Sequence, residues 1–325
     1  MPHPETSVKI AVVIPCYKVS NHVLAVIAGI GPECCRIYAV DDCCPQGSGD
    51  LIEAQCQDSR VTVLRNPHNR GVGGAVKLGY AAALADAMDI VVKIDGDGQM
   101  DPALLGIFVE PIIHGEADYT KGNRFLEVDA LKAMPTLRLI GNSLLSFMTK
   151  FSSGYWDIFD PTNGYTAIHR EALRRLPLHK ISERYFFESD MLFRLNLARA
   201  VVVDIPMAAK YADEVSNLKI SAVAGEFFGK HLRNFGKRIV YNYYLRDMSL
   251  ASIELPLGTG LLLFGLLFGS VQWVASVRSG MPATTGTVML GVLPILMGLQ
   301  FILSFLAYDI AATPRRVLSR LRKGD

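Results

Sequence analysis

The chain has 325 residues, half of them hydrophobic, and its mean hydropathy is positive. That is enough for a full α/β domain plus a strongly apolar region, while a net charge of +2 is too small to argue for a nucleic-acid partner. Six cysteines, all before residue 57, include no Cys-x-x-Cys pair and no finger-spaced histidine, which disfavours a zinc site and suits a reducing cytosol.

Lys9 to Pro15 reads as a first strand; its apolar run is too short for a targeting segment and ends at proline. A helix is expected over Asn21 to Ile30, a second strand over Arg36 to Asp42, a helix near Asp50 to Cys56 and a third strand over Val61 to Leu64. Asn69-Arg70-Gly71-Val72-Gly73-Gly74 then leads into an Ala-rich helix from Ala75 to Met88. Its spacing is not Gly-x-Gly-x-x-Gly and it follows the third strand, which argues against a dinucleotide fingerprint. Glycines opening a helix still permit close backbone approach to a substrate or diphosphate. Strands alternating with helices imply βαβ units and a mostly parallel sheet.

Ile90 to Ile94 is apolar and β-branched apart from Lys93, as a central strand should be. It runs into Asp95-Gly96-Asp97-Gly98-Gln99, and Asp101-Pro102 then reads as an N-cap with proline at the first helical position. Asp95, Asp97 and Gln99 therefore fall at the carboxyl edge of a sheet, where open α/β sheets bind ligands. Two carboxylates and an amide oxygen are hard donors suited to Mg²⁺ or Mn²⁺, with phosphate and water completing the shell. A solvated Asp-Gly turn is the plainer alternative.

Beyond Glu116 the pattern loosens. Short strands are expected at Ala117 to Thr120, before Arg124, around Thr162 to Ile168, and at Val201 to Ile205. Helices are expected from Thr136 to Phe151, carrying Arg138, and from about Arg184 to Arg199, carrying Glu188 and Asp190. Between Ser221 and Asp247, Phe228, Leu232, Phe235, Ile239 and Tyr243 recur at helical spacing, with Lys230, Arg233, Lys237 and Arg238 between them. Such a basic amphipathic helix reads as lying on a membrane surface.

Leu255 to Val277 and Gly286 to Ala307 are uncharged for more than 20 residues each, long enough to cross a ~30 Å hydrocarbon core. The turn between them holds only Arg278, whereas basic residues flank the pair on both outer sides, Arg315, Arg316, Arg320, Arg322 and Lys323 among them. By the positive-inside rule this is a membrane hairpin with both flanks, and hence the α/β domain, in the cytosol. Four segments are expected: a cytosolic domain over 1–219, a juxtamembrane helix over 220–250, the hairpin over 251–310 and a basic tail over 311–325.

Val12-Val13-Ile14-Pro15-Cys16-Tyr17, Val40-Asp41-Asp42, the Gly-rich stretch and Asp95-Gly96-Asp97-Gly98-Gln99 resemble the successive motifs of family 2 glycosyltransferases. The order of α/β domain, amphipathic helix and C-terminal hairpin is similar to polyprenyl-phosphate glycosyltransferases in particular. The resemblance implies a nucleotide-sugar-binding, GT-A-like fold and inverting transfer of a sugar from a UDP- or GDP-linked donor to a polyprenyl phosphate. It implies that Pro15, Tyr17 and Asp42, with Asp41 beside them, contact the nucleoside. Asp95, Asp97 and Gln99 would hold Mg²⁺ or Mn²⁺ against the diphosphate, and Arg124 and Arg138 would hold the acceptor phosphate. Glu188 and Asp190 stand about where hydroxyl-directed relatives keep a general base, so one of them would bind sugar hydroxyls or act as that base; an acidic helix start is the simpler account. The sequence departs from the family's usual Tyr-Asn-Glu at Tyr17-Lys18-Val19, and from its Asp-Asp-Gly-Ser at Asp41-Asp42-Cys43-Cys44. A transferase acting on another membrane acceptor, with Asp190 as base, and a non-catalytic nucleotide-sugar-binding module are the alternatives. A homo-oligomer is compatible with all three.

Overall fold

The computed structural model describes residues 8–125, 136–207 and 220–321, with the side chains of 136–139, 220–224 and 321 outside the description. Arg138 is thus placed on its helix without its side chain, and Arg322 and Lys323 lie outside the described residues. The chain divides into two compact units, one of residues 1–235 with 314–325 and one of residues 236–313.

The first unit is built on a seven-stranded sheet in the order β3-β2-β1-β4-β6-β5-β7. Its strands are β1 (Ile10–Cys16), β2 (Cys34–Asp41), β3 (Val61–Arg65), β4 (Ile90–Lys93), β5 (Tyr119–Asn123), β6 (Thr166–His169) and β7 (Val202–Pro206). All neighbouring pairs are parallel except those of β6, which runs antiparallel to both β4 and β5. The sheet is therefore mixed and mostly parallel. Because successive side chains on a strand alternate faces, Val12 and Ile14 enter one core with Ile37, Val92 and Phe108, while Ala11 and Val13 enter the other with Tyr38, Tyr80 and Val91. Burial on both faces is why these strands read as continuous apolar runs.

Helices α1 (Val23–Ala28), α2 (Ser48–Gln55) and α4 (Leu105–Ile113) serve the first face; α3 (Val72–Ala85), α6 (Arg170–Arg174) and α7 (Phe187–Ala198) serve the second. Asp101 caps the turn before α4 by accepting from Ala103 N, with Pro102 at the first position. The tail after residue 313 also belongs to this unit. Leu318 is buried in the second core, its amide donates to the Asp118 carboxylate at 2.9 Å, and Arg320 donates to the His114 carbonyl.

Two further helices are α5 (Thr136–Ser153) and α8 (Ile220–Val240). On α8 the buried face is polar: His231 meets the Ser152 hydroxyl and Asn234 donates to Asp190. Phe228 and Leu232 are each 59% exposed, and on α5 Ile140, Leu144 and Phe147 are exposed as well. Both helices thus turn an apolar stripe outward. The stripe on α5 is spaced by four and three residues on the helix that carries Arg138.

The second unit is a hairpin of α9 (Leu250–Ser279) and α10 (Thr285–Ala311), 30 and 27 residues long. At about 1.5 Å per residue each exceeds a ~30 Å hydrocarbon core. Gly258 and Gly265 on α9 meet Gly298 and Gly291 on α10, with carbonyls where a Cβ would stand, the small-residue contact typical of membrane helices. Asp309 closes the open end, accepting from Nη1 and Nη2 of Arg238 and from the Tyr243 hydroxyl.

Candidate active site

Strand β4 ends at the carboxyl edge, and its continuation carries Asp95 and Asp97 out of the sheet. Gly96 passes against Ile14, Val19 and the Pro15 carbonyl, where a side chain would press. Gly98 takes φ +78°, the left-handed region that favours glycine, and the Asp97 carboxylate accepts from Gln99 N at 3.0 Å. The motif is thereby folded into a tight loop beside the end of β1. Half-buried Pro15 and exposed Tyr17 stand next to it.

Asp41 and Asp42, at the end of β2, brace the neighbouring loops. Asp41 accepts from Cys44 N and Gly49 N; Asp42 accepts from Asn66 Nδ2, Arg70 N and Gly71 N, all within 3.1 Å. Both are at most 5% exposed, so their carboxylates hold the loops after β2 and β3 from within. Cys43, which follows this pair, adopts φ +54°, in the left-handed region.

The Gly-rich loop packs against the chain's own backbone. Gly71, at φ +79°, lies against the Glu183 carbonyl, and Gly73 against the Ser182 carbonyl and the Phe187 ring. Gly74 N donates to the Glu183 carbonyl, while Arg70 and Lys77 both pair with its side chain, which holds that carboxyl down at about 2. The glycines thus admit this chain's own 182–187 segment. They seat the start of α7, and with it Glu188.

Glu188 and Asp190 separate cleanly. Asp190 is buried and accepts from Ser182 N, Arg194 Nε and Asn234 Nδ2 at 2.9–3.1 Å, which makes it a brace between α7, α8 and the preceding turn. Glu188 points toward the floor of the site, 3.6 Å from Lys93 Nζ. Burial pushes its carboxyl up, against the pull of Lys93 and Lys121.

Arg124 follows β5 and grips Asp160 with two donors, at 2.7 and 3.0 Å, and reaches Thr162 with the second. Burial alone would raise the Asp160 carboxyl, but the guanidinium and Lys121 hold it below its ordinary range. Any phosphate that meets Arg124 therefore meets an anchored guanidinium.

Four charged groups, of which sequence singles out only Lys93, lie beneath these residues. Lys93, Thr166, Lys121 and Asp204 are register partners across β4, β6, β5 and β7, so they form one row on one face of the sheet. Lys93 and Lys121 are fully buried, and Lys121 donates to the Asn163 carbonyl. Burial lowers Lys121 to about 8 and raises Asp204 to about 6. Asp160 completes the group. A charged residue inside a strand is the only signal sequence offers for such a floor.

For a divalent cation, the residues fit. Among the described residues no group of three or more His, Cys, Asp or Glu side chains is arranged to hold a metal. The Asp95, Asp97 and Gln99 loop instead offers two carboxylates and an amide, the partial set that Mg²⁺ or Mn²⁺ shares with a substrate diphosphate.

Comparison with known proteins agrees with this geometry. The profile of glycosyl transferase family 2 matches residues 11–176. The chain is 30% identical to UDP-N-acetylglucosamine–dolichyl-phosphate N-acetylglucosaminyltransferase of Methanococcus voltae, over 47% of this chain and 61% of that protein. It is 27% identical to polyprenol monophosphomannose synthase of Mycolicibacterium smegmatis, over 60% and 75% of the two chains, and 30% identical to undecaprenyl-phosphate mannosyltransferase of Micrococcus luteus, over 53% and 70%. The fold is shared with glucosyl-3-phosphoglycerate synthase of Mycobacterium tuberculosis, solved with Mn²⁺ and uridine-diphosphate-glucose, at a TM-score of 0.55 and 19% identity over 70% of this chain and 79% of that one. With its motifs on the carboxyl edge of a mixed GT-A-like sheet, the chain belongs to glycosyl transferase family 2 and is a glycosyltransferase.

Proposed function

We propose that the protein transfers a sugar, with inversion, from a nucleoside-diphosphate donor to a polyprenyl phosphate at the cytoplasmic membrane face. The observation that carries this reading is the presence, in one chain, of the Asp95–Asp97–Gln99 edge loop and two apolar helices of membrane-spanning length. The first suits a water-soluble nucleotide donor; the second suits an acceptor held in a bilayer. The outward apolar stripes of α5 and α8 support a membrane-facing surface on the catalytic unit. The relatives named for dolichyl, polyprenol and undecaprenyl phosphates point to the same acceptor class.

In this reading the nucleoside lies along Pro15 and Tyr17, in a pocket whose walls Asp41 and Asp42 hold in place. Asp95, Asp97 and Gln99 would ligate Mg²⁺ or Mn²⁺. The bound ion supplies Lewis-acid stabilisation of charge on the departing diphosphate. Arg124, anchored on Asp160, and Arg138 receive the acceptor phosphate, for which guanidinium geometry is well matched. A phosphate oxygen is already anionic near neutral pH and attacks without a base. Asp190, committed to three hydrogen bonds, supports this acceptor over a hydroxyl one, which would need a base to take its proton. Glu188 remains the carboxylate near the floor for contact with the donor sugar.

The test is transfer by the detergent-purified protein, with Mn²⁺ or Mg²⁺, from a panel of UDP- and GDP-sugars to undecaprenyl phosphate. Wild type is expected to form lipid-linked sugar and release nucleoside diphosphate only when the lipid is present. Asp97→Ala is expected to lose at least about 100-fold in turnover while remaining folded and membrane-bound. Full activity in that variant removes the metal assignment. Absence of lipid-dependent release with every donor removes the acceptor, and would favour a binding module.

A further inference from the structure

Lys93 is the one charged residue in β4, and it is fully buried. Moving an ammonium out of water is costly unless its partners compensate, so its environment has to be built for it. It is. Nζ donates to Asp95 Oδ1 at 2.7 Å and to the Gly164 carbonyl at 3.1 Å, and stands 3.6 Å from Glu188 Oε1. These partners come from three separate places: the edge loop, the segment before β6, and the first turn of α7.

We propose that Lys93 is a positioning residue for the donor site: its ammonium holds the Asp95 carboxylate in place for the divalent cation and ties that carboxylate to Glu188 and the 160–164 segment. This rests on the reading of Asp95, Asp97 and Gln99 as metal ligands. Asp95 offers two oxygens, and Lys93 takes Oδ1 as its partner. That fixes the plane and direction in which the carboxylate meets an ion. Ligating carboxylates are commonly oriented by such outer partners, and losing one typically costs 10–100-fold in metal affinity. Through the same ammonium, the loop that faces the diphosphate is joined to α7, whose start is seated by the Gly-rich loop. Three motifs far apart in the chain share one buried charge.

The sign of the effect makes the idea testable. A lysine acting only as a nearby positive charge repels a cation, so its removal should tighten metal binding. A lysine that positions Asp95 should do the opposite. Mn²⁺ is titrated into the detergent-purified full chain with UDP and, separately, GDP, and free Mn²⁺ is read by electron paramagnetic resonance. Wild type, Asp97→Asn and Lys93→Met are compared, with circular dichroism and thermal unfolding on each. Lys93→Met is expected to weaken Mn²⁺ binding about tenfold or more. Binding as tight as wild type or tighter overturns the proposal, as does a lowered unfolding temperature with unchanged affinity. Should Lys93→Met fail to fold, the double variant Lys93→Met with Glu188→Gln removes one buried charge of each sign; it too is expected to bind weakly, and wild-type affinity in it overturns the proposal. Asp97→Asn separates the two readings. If wild type binds no Mn²⁺ with either nucleotide, or Asp97→Asn binds as well as wild type, the metal reading itself fails and this one falls with it.

Discussion

Gly164→Ala tests the site with a single methyl group. Gly164 precedes β6, and its φ is not positive, so alanine costs no backbone strain there. Its Cβ, however, would stand closer than 3.0 Å to both Asp95 Oδ2 and Lys93 Nζ, a distance real Cβ atoms do not adopt. Met100 Cε lies at 3.0 Å on a third side. Restoring ordinary contact moves the carboxylate by about 1 Å, and a misplacement of that size at a reacting centre costs on the order of 100-fold. This corresponds to about 2.7 kcal/mol in the barrier. The assay is initial-rate transfer to undecaprenyl phosphate at saturating donor and metal, with unfolding temperature as control. A kcat reduced about 100-fold in a folded protein is expected. Activity within threefold of wild type, with the variant folded, would refute the claim that Asp95's position matters to turnover.

Two predictions concern stability. Leu318 is buried in the second core, so Leu318→Ala should cost about 2–5 kcal/mol and lower the unfolding temperature by roughly 5–15 °C; an unchanged temperature would show that the tail is dispensable to the unit. Asp204 is raised by burial from 3.8 to about 6 in the folded state, so its contribution to stability is complete below about pH 3.8 and is lost as pH rises through about 6. Its share is at most about 3 kcal/mol. Asp204→Asn should flatten the fall in stability between pH 4 and 6.5 in urea unfolding, and a slope identical to wild type would contradict it.

Much of the architecture was legible because the physics that builds it is local. Parallel strands buried on both faces must be apolar throughout, so β1, β2 and β4 announced themselves, as did the two long apolar helices. Asp101-Pro102 marked the start of the turn into α4 because a cap and a proline have few other uses together. What stayed hidden depends on contacts distant in sequence. Nothing around Gly71 and Gly73 says that the backbone approaching them belongs to residues 182–187 and not to a ligand. Nothing near Asp190 discloses that Ser182, Arg194 and Asn234 converge on it. Lys93 looked like an exception within an apolar strand, when it is the reason Asp95 has a fixed partner. The tail has too few apolar residues to signal docking, since among its described residues Pro314, Val317 and Leu318 are the buried ones.

The tail also bears on topology. The chain leaves the catalytic unit at Phe235 and rejoins it at Pro314. Between these points lie two helices of spanning length. A compact unit cannot stand on both sides of a bilayer, so the number of crossings between its two segments has to be even, and two helices satisfy this where one would not. That argument uses no charge count. The basic residues flanking the hairpin favour the cytoplasmic side by a separate route, through the bias of Lys and Arg against translocation. Leu318 and Asp118 therefore do more than bury a few side chains. Under the proposed reading, in which α9 and α10 cross a bilayer, the docked tail would place both ends of the hairpin on the side of the catalytic unit, the arrangement the proposed reaction requires.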